Sequence, residues 1–407
     1  MGHISRRDFL CSAAGAAGTL MIPPPAARAQ SAAPLLTPGV PGGIASYAQM
    51  GTLPGKKPLI QLADRPPNYE APLEYLRTPI TPNDEFFVRY HLADIPEVHA
   101  AEYRIKVDGD GANSSFELTL DDLKKMPTAE IVAVNQCSGN RRGLSNPHVP
   151  GVEWGYGAMG CARWKGVRLK DVLDKAGIKN ECIEIAFDGA DGPVFDKTPD
   201  FIKSIPIWRA MNEATMIAYE MNGQPLPHFN GFPARIIVPG WTGTYWVKHV
   251  IHIEARTQPQ GGFWMKPAYR IPVGQFPIRD RFISQEDATS TPITEIVVNS
   301  LITSHADGAK VEPGKVAISG LAWDGGYGIR AVEVSTDGGE TWSTARLGED
   351  LGNYAFRPWS FELNAKRGKN HVMINATNMI GQTQTPKLLF NGAGYHNNVM
   401  QSITLNA

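Results

Sequence analysis

The chain has 407 residues, with 39 lysines and arginines against 40 aspartates and glutamates and a formal net charge of −1. That balance argues against a nucleic-acid or anionic-membrane partner, and the length suffices for two domains. Forty-one glycines, 32 prolines and a 42% hydrophobic content point to a globular protein rich in turns and sheet.

Residues 1–33 read as a leader. Ser5-Arg6-Arg7-Asp8-Phe9-Leu10 resembles a twin-arginine export signal, followed by an Ala/Gly-rich stretch, three prolines and small residues at Ala27 and Ala29. The apolar run is too short and too glycine-rich to cross a membrane. A signal of this type implies the periplasm and a route that carries folded, often cofactor-loaded proteins. Cys11 leaves with the leader. Cys137, Cys161 and Cys182 remain, an odd number that cannot form a complete disulfide set.

A Pro-rich lead from Pro34 to Pro82 precedes a strand-like run, Phe86 to Leu92. Thr119 to Met126 reads as a short helix and Glu130 to Gln136 as a strand. Gly166 to Gly177 has apolar residues at helical spacing and a glycine terminator. Further strands are expected in Glu181–Phe187, Ala234–Gly240 and Val247–Ala255. The polar stretch Ser284 to Pro292 reads as a linker, which divides the mature chain into 34–287 and 288–407. Beyond it the pattern is strands alone, with Asp337-Gly338-Gly339 marking a hairpin, as in a β-sandwich. The first part is mixed α+β without strict alternation.

Cys161 and Cys182 have apolar surroundings and read as core thiols. Cys137 does not. It lies in Asn135-Gln136-Cys137-Ser138-Gly139-Asn140-Arg141-Arg142-Gly143, where two arginines favour the thiolate. Three chemistries suit it: a nucleophile with a histidine base, zinc, or a soft bond to a redox metal. Zinc is the weakest, since there is no Cys-x-x-Cys and His249 and His252 fall on opposite faces of a strand-like run. No local signature marks a cysteine hydrolase.

The loop around Cys137 resembles the molybdenum-binding loop of the sulfite oxidase family. Other blocks follow in family order: Thr81–Leu92, Val152–Leu173, Ala218–Pro227, Gly231–Val250 and, in the β-rich part, Gly320–Trp342. The likeness is greatest to the molybdenum subunits of bacterial periplasmic sulfite dehydrogenases. It implies a mixed α+β molybdopterin domain followed by an immunoglobulin-like sandwich. It also implies that Cys137 is the one protein ligand to a molybdenum held by a pterin dithiolene. His91, Arg235 and Lys248 fall at cofactor-binding positions, and Thr244 and Tyr245 lie in the same loop. Asn230 stands where the family usually has a histidine, with His228 nearby. Arg89 and Arg142 match substrate arginines, Tyr269 the active-site tyrosine, and Trp154 a pocket tryptophan.

The implied reaction is oxygen transfer to sulfite, with the electrons passed to a c-type cytochrome. No Cys-x-x-Cys-His for covalent haem occurs in the sequence. The resemblance leaves a second reading, a sulfane dehydrogenase component acting on protein-bound sulfur. The β-domain is expected to form a homodimer or to dock a cytochrome subunit.

Overall fold

The structure, a computed structural model, describes residues 49–272 and 290–407. The leader and most of the predicted linker lie outside them. The described chain is mostly sheet, with three short α-helices, Leu120–Lys125, Leu169–Ala176 and Ile207–Ala210. The helical share is therefore smaller than the α+β reading implied: sheets enclose most of the core, and helices cover only its margins.

Local chemistry sets the helix ends. Thr119 and Asp122 form a reciprocal capping box at Leu120–Lys125. Leu169, Val172, Leu173 and Ala176 bury one face of the second helix, and Gly177 ends it at φ 67°, donating its N–H to Leu173 O. The third helix, four residues after Pro206, gives no periodic signal to read.

Two sheets frame the first part. One runs Lys203–Pro206, Glu184–Gly189, Val250–Arg256, Arg104–Asp108 and Phe116–Thr119, antiparallel apart from the Val250–Arg256 and Arg104–Asp108 pair. The other pairs Thr128–Gln136 with Met159–Arg168, and the latter with Met216–Met221. Its first pairing runs from Thr128 opposite Val167 to Gln136 opposite Met159, which delivers Cys137 at the strand's end. Of the strand expected over Phe86–Leu92, only Val88–Arg89 pairs, against Asn68 and Tyr69. Its neighbours instead turn their side chains into a cleft described below.

Residues 290–407 contain no helix. Two four-stranded sheets share one apolar core that includes Ile318, Val332, Trp359, Val372 and Leu405. The hairpin expected at Asp337 forms, with Gly338 and Gly339 at φ 79° and 97° and the Asp337 carboxylate accepting from Thr341 N. The last three residues of the predicted linker, Ser290–Pro292, form a strand paired with Arg270–Pro272.

A third apolar cluster joins the two parts. Val132, Val134, Met159 and Cys161 pack with Leu301, Leu321, Trp323 and Phe356. Trp323 also donates its indole N–H to Gln136 Oε1 at 2.6 Å, one residue before Cys137.

Candidate functional site

The turn after Thr128–Gln136 is fixed from several sides. Cys137 N donates to Ala158 O (2.9 Å), Arg141 N to Gly155 O (2.7 Å) and Gly143 N to Trp154 O (2.8 Å). Asn140 Oδ1 accepts from Ala158 N at 3.1 Å. Glu70, buried, accepts the N–H groups of Gly155 (2.6 Å) and Gly157 (2.8 Å), which props the segment facing the turn. Burial pushes the Glu70 carboxyl up to about 7, against the pull of those N–H groups.

Arg141 sits at φ 68°, and this left-handed residue sends the two arginines different ways. Arg141 is fully buried and donates to Ser300 O (2.8 Å) and Val399 O (2.9 Å). Arg142 donates to Ala393 O (3.0 Å) and Val152 O (3.1 Å), and its guanidinium lies 5.3 Å from the Tyr395 ring centre.

Cys137 opens onto a cleft. Arg89, His91, Asn230, Arg235, Thr244, Lys248 and Tyr269 line it together with the thiol. The sequence reading thus brings eight of its ten site residues to one cleft. Arg142 and Trp154 are not among the lining residues. Trp154 is fully buried in the main apolar core.

The cleft is cationic. Arg89, Arg235 and Lys248 face it, and Asp191 is the one carboxylate among the described lining residues. Arg235 donates to Asn230 O (2.9 Å) and Trp246 O (2.8 Å), and burial lowers it to about 9. Lys248 donates to Arg89 O at 2.7 Å and lies over the Tyr90 ring. Burial holds its ammonium well below the usual lysine range, with Asp191 opposing. Asn230, in place of a histidine, accepts from the buried Lys56 Nζ at 2.5 Å, and burial lowers that lysine to about 7. His228 does not line the cleft; it packs edge-on against Phe229.

At another point of the lining, Tyr269 at φ 59° hydrogen-bonds His91 Nε2. The His91 ring stacks on Phe201 at 3.6 Å. Burial, reinforced by the charges of Arg89, Lys248 and Lys203, keeps His91 neutral. Burial likewise pushes the Tyr269 hydroxyl up, so it stays protonated at neutral pH. Its ring lies parallel to Tyr395 at 5.6 Å, and Tyr395 comes from the β-rich part.

Cys161 and Cys182 are buried apart from the cleft, and burial pushes the Cys161 thiol up to about 12. His249 and His252 serve the fold, bonding Phe232 O with Tyr90, and Asp108, respectively. Tyr245 is buried and donates to Ile293 O. Asp191, Ser138, Asn135 and Lys56 were not foreseen. Asn135 and Ser138 flank Cys137 in the loop already singled out, whereas Asp191 and Lys56 lie in segments whose local pattern carries no chemical signal.

Several relationships to known proteins bear on this cleft. Residues 91–264 match the oxidoreductase molybdopterin binding domain family, and 290–407 match the Mo-co oxidoreductase dimerisation domain family. Mitochondrial sulfite oxidase of Rattus norvegicus is 38% identical over 335 residues, 79% of this chain and 60% of that protein. Sulfite oxidase of Arabidopsis thaliana is 32% identical over 325 residues, 76% of this chain and 81% of that protein. The chain belongs to the sulfite oxidase family. Among solved structures, the sulfane dehydrogenase SoxCD from Paracoccus pantotrophus superposes with a TM-score of 0.73 at 25% identity, covering 93% of this chain and 92% of that one. The chain spans only 60% of the length of the rat relative.

The cleft suits the molybdenum–pterin group of the matched molybdopterin binding domain family. Asn135 Oδ1, Ser138 Oγ and Thr244 Oγ1 are buried against the cleft without a hydrogen-bond partner. Each such atom costs about 1–3 kcal/mol unless a ligand satisfies it. A pterin, rich in donors and acceptors, does so, and the neighbouring cations suit its phosphate. Among the described residues no cluster of three His, Cys, Asp or Glu side chains is placed to hold a metal ion. A lone thiol therefore fits a metal whose other ligands arrive with the cofactor.

Proposed function

We propose that this protein is exported and oxidises sulfite to sulfate in the periplasm, passing two electrons singly to a c-type cytochrome. The observation that carries the reading is the meeting of the Cys137 thiol with Arg89, Lys248 and the neutral His91–Tyr269 pair in one cationic cleft. The Arg6–Arg7 leader supports export. The relatives named sulfite oxidase support the substrate.

In this reading Cys137 holds the molybdenum. Asn230, Arg235, Thr244, Lys248 and His91 hold the pterin. The bound cofactor supplies oxygen-atom transfer and a two-electron store. The protein supplies the electrostatics and the orientation. Arg89 binds the sulfite oxygens from the cleft wall, and Tyr269 directs its O–H toward the reacting oxygen. Arg142 adds charge from outside the lining; its guanidinium and that of Arg89 both favour the ionised Tyr269 hydroxyl. Trp154 shapes the site from the core beneath. The β-rich part, two four-stranded sheets on one core, is assigned an immunoglobulin-like sandwich that pairs with a second copy or a cytochrome subunit.

A second reading has its own support. The chain matches the sulfane dehydrogenase over nearly its full length, whereas it spans 60% of the rat sulfite oxidase. The deciding experiment is steady-state reduction of a c-type cytochrome by metal-loaded protein, with free sulfite or a protein-bound persulfide as donor. Turnover with sulfite supports the first reading. Turnover with the persulfide alone replaces it with the second.

Arg89→Met should weaken apparent sulfite affinity by about tenfold to a hundredfold, the loss of one charge-assisted contact worth roughly 1.5–3 kcal/mol. Arg142→Met should weaken it less. Equal and negligible effects at full metal loading would remove both from substrate binding.

A further inference from the structure

Lys203 is a buried lysine outside the cleft lining, so far met only through its effect on His91. Its side chain is 1% exposed, and among the described residues it forms no ion pair. Its Nζ donates to Trp264 O at 2.6 Å. It also lies 4.6 Å from the Tyr245 ring centre and 5.1 Å from that of Tyr269. A buried charge without a counter-charge is costly, and two ring faces with one carbonyl offset only part of that cost. Burial lowers the Lys203 ammonium to about 7, with Arg270 adding to the shift.

The position of this lysine ties it to the cleft. Tyr269 and Phe201 line the cleft, and Lys203 sits behind them without lining it. Trp264, whose carbonyl it holds, packs edge-on against His91 at 5.0 Å. The Lys203 charge also reaches His91, one of the causes that keep that imidazole neutral. The groups facing it are Tyr245 from the Gly243–Tyr245 turn, Tyr269, Arg270 from the adjoining strand, and His91. None of them is a carboxylate. An anion in the cleft is the missing counter-charge.

We propose that Lys203 is a positioning residue of the cleft, holding Tyr269 and the Trp264 turn in place and taking up a proton when a dianion enters. The inference rests on the reading of the cleft as an oxyanion site. In the free protein near neutral pH the lysine is part neutral, which relieves the cost of burial. An arriving dianion restores the favourable charge, so the proton comes from solvent. Below about pH 7 the lysine is already protonated and binding needs no uptake. Above it, binding and uptake are coupled, and affinity falls as pH rises.

The test uses molybdenum-loaded protein and inorganic sulfate, which does not titrate near neutrality. Calorimetry from about pH 6 to about pH 8.5, in buffers of different ionisation enthalpy, gives affinity and proton uptake together. The parent should bind roughly tenfold more weakly at the upper pH, with uptake approaching one proton. Lys203→Met should bind roughly tenfold more weakly than the parent at the lower pH, and its affinity should change less with pH than the parent's, the remaining slope belonging to Lys248 and Lys56. Lys203→Arg, which keeps its charge, should hold its affinity across the range apart from that remaining slope. A parent-like affinity and pH slope in Lys203→Met overturns the inference alone. Loss of thermal stability without a change in slope does the same, because it shows a merely structural lysine. A parent that binds no sulfate overturns both the inference and the oxyanion reading.

Discussion

Replacing Arg141 with Met tests whether the two parts of the chain build the Cys137 turn jointly. The guanidinium is fully buried and gives one hydrogen bond each to Ser300 O and Val399 O, at 2.8 and 2.9 Å. It also lies over the Tyr156 and Trp323 rings at 5.2 and 5.9 Å. Methionine fills much of the volume and removes a buried charge, which offsets part of the loss. The Ser300 carbonyl loses this donor and the Val399 carbonyl keeps only Gln384 Nε2 at 3.4 Å, at about 1–3 kcal/mol each, so the net destabilisation should be about 2–4 kcal/mol. Urea unfolding followed by tryptophan fluorescence measures it. Molybdenum content of the purified variant should fall as well, because Cys137 lies in the same turn. Arg141→Lys keeps the charge and one donor direction and should lose less. A stability change under about 0.5 kcal/mol with full metal loading would refute the argument, since surface substitutions alone produce that much.

Cys137→Ser should remain folded and lose most sulfite oxidation at verified molybdenum content, whereas Cys161→Ser and Cys182→Ser should keep activity largely intact and lose at most stability; steady-state cytochrome reduction with elemental analysis checks both. Burial holds His249 at about 3, with Nδ1–H donating to Phe232 O and Nε2 accepting from Tyr90. Its contribution to stability is therefore complete above the ordinary histidine value and is lost as pH falls from about 6.5 toward 3. His249→Gln should flatten the acid limb of the urea midpoint against pH; an unchanged limb would assign that sensitivity to other groups.

Much of the fold was readable because its signals are local. Gly314–Trp323 is a strand within the part that reads as strands alone, and Leu169–Ala176 is a helix because a buried stripe and Gly177 agree. The run Phe86–Leu92 misled, since β-propensity describes a half-buried surface and this segment spends its side chains on a cleft. The cleft residues were legible through resemblance. Arg142 and Arg89 looked equivalent in sequence, but the left-handed backbone at Arg141 turns the following side chain toward Ala393. Lys203 and Lys56 carry no local signal at all. A lysine in a strand or a Pro-rich lead reads as a surface charge, and only the tertiary arrangement shows it buried.

The bond from Arg141 to Val399 spans 258 residues of chain. When the cysteine loop emerges from a ribosome, the carbonyl that locks it has not been made. This lock on the Cys137 turn closes only once the chain has been made through Val399, so truncation before Val399 should leave the turn without it.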